Sequence, residues 1–229
     1  MTDSHSGDTA PKRISLFPLP TSVFYPKTYL PLHIFEPRYR KMVQNSIDND
    51  QWIGMVLLEP GYEEEYFARP AIKQIGCMGN LEKWFQYDDG RYDIVLNGRS
   101  RFRIVSEVGD SLYREAEVEP LACTNDFLLD KAPPQLDELT TLYRKFIEHL
   151  PRKNAHKVEL DLTNCETLGE AVDRVAYMFD SALDQKQAFL EELDVLKRLD
   201  LIKTQINLKL EIVQRSRSFS KVNWDVRMN

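Results

Sequence analysis

Between Leu16 and Arg40 the chain reads LFPLPTSVFYPKTYLPLHIFEPRYR, a stretch with five of its twelve prolines. Proline lacks an amide hydrogen and holds the preceding residue in extended geometry, so Pro18, Pro20, Pro26 and Pro31 exclude a helix. Pro37 precedes a run of helix formers and suits a first helical turn, where its missing hydrogen costs nothing. The stretch therefore predicts strand, turn, strand, then a helix from about Glu36. Tyr39, Met42, Val43 and Ile47 give that helix its apolar face, and Asn49-Asp50 ends it.

Trp52 to Leu58, WIGMVLL, is an apolar run of strand length, predicted to be buried on both faces. From Ile72 to Leu121 the period is two, with Ile75, Cys77, Leu81, Phe85 and Tyr87 on one face. Asp89-Gly90 predicts a two-residue hairpin loop that sets Tyr87 against Tyr92, Phe85 against Ile94 and Trp84 against Val95. A three-residue loop at Gly109-Asp110-Ser111 would set Arg103 against Glu117 and Arg101 against Glu119. At least five strands with short turns, and one helix among them, make a small barrel or pseudo-barrel the economical solution, because closure removes exposed edges.

Past Pro133-Pro134 the period becomes 3.6. Leu136, Leu139, Leu142, Tyr143, Phe146 and Leu150 form one amphipathic helix ending at Pro151. Thr167 to Leu183 forms a second, with Leu168, Val172, Val175, Ala176 and Phe179 inward and a capping box at Thr167 and Glu170. A third piece covers Gln185 to Glu192, and Asp194 caps a long final helix. That helix carries Leu199, Ile202, Ile206, Leu210 and Val213 on one stripe and Leu201, Leu208 and Ile212 on a second. The second stripe is expected to widen the core face; it is also where self-association would be sought. The expected organisation is α+β: a tail over 1–12, a β pseudo-barrel over 13–122, a linker over 123–133, a helical bundle over 134–216 and a tail over 217–229.

Composition narrows the function. The chain has 229 residues and a formal net charge of −6, so bulk charge does not attract nucleic acid or anionic membrane. Its three cysteines, Cys77, Cys123 and Cys165, are far apart and form no CxxC pair, as expected of free thiols in a reducing compartment. The polar start is no secretory signal and no apolar run reaches membrane-spanning length, so a cytoplasmic protein is expected.

Neither GxxxxGK[ST] nor GxGxxG occurs, nor does GxSxG, and His5, His33, His149 and His156 cannot supply HExxH. No catalytic residue, cofactor site or metal site is predicted. Glu63-Glu64-Glu65 reads as a solvated loop. His33, within the alternation Leu30, Leu32, Ile34, is expected to be a core histidine, and Glu36 an ion partner of Arg38 at the helix start. Arg99, Arg101 and Arg103 would share one strand face, yet the facing glutamates would neutralise the stripe, so nucleic acid is disfavoured.

The segments Leu16-Phe17-Pro18-Leu19, Val23-Phe24-Tyr25-Pro26 and Leu30 to Tyr39 closely resemble the N-terminal substrate-binding domain of Lon proteases. The likeness continues through Ile53 to Leu57, Asp89-Gly90-Arg91-Tyr92, Gly98 to Ile104 and Tyr113 to Val118. Pro31, His33, Phe35, Glu36, Pro37, Arg38, Tyr39, Gly98, Arg101 and Phe102 form the structural signature. The resemblance implies a PUA-like β pseudo-barrel followed by a helical bundle. It also implies a stand-alone, non-catalytic module, since the ATPase and serine–lysine protease parts of Lon lie outside the match.

A protein or unfolded polypeptide is then the expected partner, in a setting linked to proteolysis, with Tyr25, Tyr29, Trp84 and Phe85 as the candidate contact residues. RNA binding, by analogy with other PUA-like barrels, is the first alternative; small-molecule binding or an unrecognised enzyme is the second.

Overall fold

The structure is a computed structural model that describes residues 12–65, 69–109, 111–131, 134–149 and 160–225. It divides between Ala122 and Cys123 into two compact units. The first holds β1 (Arg13–Leu19), β2 (Tyr29–Ile34), α1 (Pro37–Asp48), β3 (Trp52–Leu57), β4 (Ile75–Gln86), β5 (Tyr92–Val108) and β6 (Arg114–Leu121). The second holds α2 (Gln135–Glu148), α3 (Leu168–Met178), α4 (Leu183–Glu191) and α5 (Val195–Asp225).

In the first unit the strand order is β2-β5-β4-β3-β1-β6, and β6 also pairs with β5. The five strands β1, β3, β4, β5 and β6 therefore close a ring, with β2 added along the first half of β5. It is not a regular barrel: β1 and β3 run parallel, and register breaks interrupt the β4–β5 and β5–β6 ladders. The parallel pair requires a crossover, which β2 and α1 supply. β3, paired on both sides, is buried along nearly its whole length, as its apolar run predicts. Ile14, Leu16, Val56, Met78, Phe102 and Ala116 meet inside the ring.

Helix α1 starts as predicted. Glu36 is extended and Pro37 opens the first turn. Tyr39, Met42 and Val43 are buried, with Ser46 in the place the pattern gave to Ile47.

Both predicted hairpin registers are corrected. Tyr87 N donates to Arg91 O at 2.9 Å and Gly90 N to Tyr87 O at 2.8 Å, so the β4–β5 loop is the three residues Asp88 to Gly90. Gly90, at φ +81°, supplies the left-handed third position that lets a turn of this length match the strand twist. The pairing moves by one residue: Phe85 lies opposite Asp93 and Trp84 opposite Ile94. A one-residue shift exchanges the faces, so Phe85 turns to solvent.

At the β5–β6 turn, Val108 pairs with Glu115 because the longer loop carries the buried Tyr113. With a further irregularity between Ile104 and Ser106, Arg103 lies opposite Glu119 and Arg101 opposite Leu121. Arg101 is buried, so the three arginines do not form an exposed stripe.

In the second unit Leu136, Leu139, Tyr143 and Phe146 face inward from α2, and the Phe146 ring meets Phe179 edge to face at 5.2 Å. Leu150, Pro151 and His156 lie outside the described residues, as does residues 1–11 of the expected tail. Thr167 Oγ1 accepts from Glu170 N at 3.3 Å, while Glu170 reaches back to Glu166 N at 2.8 Å. α3 stops at Met178, short of the predicted Leu183, because Phe179 leaves helical geometry.

Asp194 Oδ1 caps α5 by accepting from Leu196 N at 3.0 Å. Leu199, Ile202, Ile206 and Leu210 are buried, but Leu201, Leu208 and Ile212 are exposed, since the bundle covers one face of the helix only. The second stripe does not widen the core. α5 runs on to Asp225, past residue 216.

Arg198 and Asp173 are both buried and form an ion pair at 3.0 Å between α5 and α3. The same guanidinium donates to Glu192 O and stands 3.7 Å from Cys123 Sγ. Removing one member of a buried pair strands the other charge, at about 3–5 kcal/mol, whereas replacing both by apolar groups costs far less. Asp173→Ala is therefore expected to lower unfolding stability by that amount in urea, and Asp173→Leu combined with Arg198→Met by much less. Equal losses from the two would show that the pair is not what orders this unit.

Candidate functional site

Alternation along β2 sends Leu30 and Ile34 inward and leaves Tyr29, Pro31 and His33 outward, with Phe35 just beyond. Gly98 N donates to Thr28 O at 2.9 Å, so the even residues of β2 direct their backbone groups to β5. Pro31 then places its missing donor on the outer edge, where no ladder bond is lost. The register aligns His33, Asp93 and Phe85 across β2, β5 and β4. Around them a shallow recess of about 490 Å³ is lined by Pro31, His33, Lys83, Phe85 and Val95 among others.

Polar bonds hold this face together. An ionised carboxylate only accepts, so His33 Nδ1 donates to Asp93 Oδ1 at 2.6 Å. Tyr87 OH donates to Asp93 Oδ2 at 2.5 Å. Arg91 bonds Asp89 at 2.7 Å and lies 5.5 Å over the Tyr87 ring. Phe85 meets Tyr87 edge to face at 5.0 Å, and His33 stacks on Phe35 at 6.3 Å.

The hydrogen bond from Tyr87, then that from His33, holds the Asp93 carboxyl below its ordinary range. The bond to Asp93 in turn raises Tyr87. With its polar atoms already engaged, the network fixes rings in place. No group of three His, Cys, Asp or Glu side chains able to hold a metal occurs among the described residues.

Residues 13–207 match the family described as the ATP-dependent protease La (LON) substrate-binding domain. The chain belongs to that family. Lon protease 2 of Myxococcus xanthus is 29% identical over 213 residues, covering 90% of this chain and 25% of the relative. Lon protease of Anaeromyxobacter dehalogenans is 26% identical over 209 residues, covering 90% and 24%. The chain thus spans about a quarter of the length of these curated relatives, and what it matches is the substrate-binding part.

Among solved structures, the Lon N-terminal domain protein from Xanthomonas campestris has a TM-score of 0.60 at 22% identity, covering 82% of this chain and 95% of that one. The N-terminal domain of Mycobacterium avium complex Lon protease has a TM-score of 0.62 at 17% identity, covering 86% and 98%. At these identities the likeness establishes the fold.

Within this Lon domain the signature splits in two. Tyr39 is buried against Phe17 at 4.3 Å, Phe102 and Arg101 are buried, and Glu36 pairs with Arg38 at 3.0 Å. At Gly98 any β-carbon would collide with the Tyr25 carbonyl oxygen. Pro31, His33 and Phe35 instead lie on the open face. His33 is thus not a core histidine: it occupies an outward position on a strand at the end of the sheet order, beside Asp93.

Of the predicted contact residues, Tyr25 is fully buried, because the turn at Lys27 folds it under the Gly98 backbone, and it leaves the candidate site. Tyr29, Phe35 and Phe85 are 54%, 62% and 61% exposed. Trp84 is 44% exposed but stands opposite Ile94, on the other face of the strand from Phe85. Tyr87, Asp93 and Val95 were not among the predicted contact residues, although the alternation through β5 marks Asp93 and Val95 as outward once the register is known.

A lowered folded-state pKa at Asp93 stabilises the ionised network above the ordinary carboxylate range of about 3.9, and the contribution is lost as pH falls through the lower folded value. A raised folded-state pKa at Tyr87 makes its contribution present below about 10 and lost as pH climbs past that ordinary value. Tyr87→Phe removes the largest cause and is expected to raise the Asp93 pKa, read by carboxyl carbon NMR titration. An unmoved Asp93 would show that Tyr87 does not hold it.

Proposed function

We propose that this Lon substrate-binding domain is a non-catalytic module that engages protein or unfolded-polypeptide partners, in a cytoplasmic setting linked to proteolysis. The observation that carries the reading is the open aromatic face: Tyr29, Phe35 and Phe85 keep more than half their surface in solvent. Aromatic residues supply much of the energy at protein interfaces, and the Phe35 and Phe85 rings, set against His33 and Tyr87, lose less freedom on binding. The family's own description as a substrate-binding domain points the same way. No described helix is long and apolar enough to cross a membrane. RNA is the weaker reading, since burial of Arg101 divides the cationic stripe.

Titration against an unfolded apolar peptide is expected to give saturable binding with little salt dependence. Phe35→Ser with Phe85→Ser, both exposed, should leave folding intact and weaken that binding about tenfold or more, the scale of hot-spot truncation. Tight binding of a structured RNA that falls steeply with salt, with none of the peptide, would replace this reading, because such a slope marks phosphate contacts.

The exposed Leu201, Leu208 and Ile212 on α5 support a second contact, self-association. Sedimentation should show a mass that rises with concentration for the wild type and is constant for Leu208→Glu. A constant monomer mass for both removes self-association from the proposal.

A further inference from the structure

Helix α5 carries two seams. Leu199, Ile202, Ile206 and Leu210 are buried against the bundle, while Leu201, Leu208 and Ile212 are 42%, 48% and 66% exposed. At 3.6 residues per turn the second set lies about 140° round the helix from the first.

Gln205 stands between Leu201 and Leu208, and Arg215 follows Ile212. Positions 201, 205, 208, 212 and 215 are four, three, four and three residues apart, the a/d repeat of a helix that packs along a second helix. Phe219 continues the spacing in the sequence, and the helix runs on to Asp225.

The order of residues selects the occupant. From Leu201 to Phe219 the seam reads apolar, polar, apolar, apolar, polar, apolar, the same from either end. A two-fold pair sets one surface against itself and needs this self-complementarity. With two copies antiparallel about residue 210, Leu208 falls opposite the partner's Ile212, and Gln205 opposite the partner's Arg215. Each apolar position then meets an apolar one, and each guanidinium meets an amide oxygen. Gln205 Oε1 accepts one bond, from Gln185 Nε2 at 2.9 Å, and a carbonyl oxygen takes two.

Other arrangements match less well. A slip of one heptad sets Gln205 against Leu208 or Ile212 against Arg215. A parallel pair sets Arg215 against Arg215, and like charges face to face cost affinity. Lys209 and Glu211, which flank the seam, have partners within the chain: Lys209 holds Asp180 at 3.2 Å, and Glu211 holds Arg215 at 3.7 Å.

We infer that α5 pairs antiparallel with α5 of a second copy through this seam, in the register that sets Gln205 against the partner's Arg215. The inference rests on the self-association proposed above and adds its orientation and register.

Gln205→Cys and Arg215→Cys are made in separate full-length chains, with the wild type and its native Cys77, Cys123 and Cys165 run beside them as background. Mixed and oxidised, the two variants are expected to give a covalent dimer whose linked peptides join residue 205 to residue 215. Either variant alone is expected to give no 205–205 or 215–215 link, because those positions lie about 15 Å apart along the pair. Gln205→Arg places like charges in two layers and should weaken the dimer about tenfold or more in sedimentation. Arg215→Gln added to the same chain should restore it, since the exchanged residues again meet across the layer.

A 205–205 link from the single variant would overturn the inference and leave self-association standing. So would a dimer that gives no 205–215 link, or a double variant no tighter than Gln205→Arg. A wild type of constant monomer mass would overturn both.

Discussion

Seventeen consecutive residues of β5 pair with β4 on one side and with β2 and then β6 on the other, so a single strand sets the register of most of the first unit. A slip of one residue on such a strand exchanges core and solvent faces along its length. Three local features prevent it: the left-handed Gly90, the irregularities at Leu81/Lys83 and Ile104/Ser106, and the side-chain-free approach of Gly98 to the Tyr25 carbonyl. Phe102 is then held inside the ring, and Phe85 is held outside it.

The same register produces the candidate binding face. β2 joins β5 where β6 does not reach, and its outward residues lie in line with Asp93 and Phe85. A carboxylate bonded by a histidine and a tyrosine is a scaffold for the rings about it, because each bond also orients an aromatic side chain. Rings that are already fixed lose less conformational entropy when a partner binds. The polar network and the apolar surface are thus parts of one arrangement.

The second unit rests on different physics. Its helices are joined through a buried charge pair, Arg198 with Asp173, and the guanidinium also holds the end of α4 through Glu192 O. The guanidinium is fully buried, and its partners tie α5 to α3 and to the end of α4. α5 turns one stripe toward these helices and leaves Leu201, Leu208 and Ile212 outside.

Local chemistry was enough to read the prolines that bound β1 and β2, the helix start at Glu36-Pro37, the buried run of β3, the caps at Thr167 and Asp194, and the change of period between the units. These depend on residues within a few positions of one another, and the motifs that carry them also identify the Lon family. The hairpin registers, the burial of Tyr25 and Arg101, the exposure of His33 and Phe85, and the free stripe of α5 were decided by tertiary structure. Each depends on which strand or helix lies alongside and on one residue more or less in a turn. Periodicity states that two faces exist; only packing chooses which of them meets water.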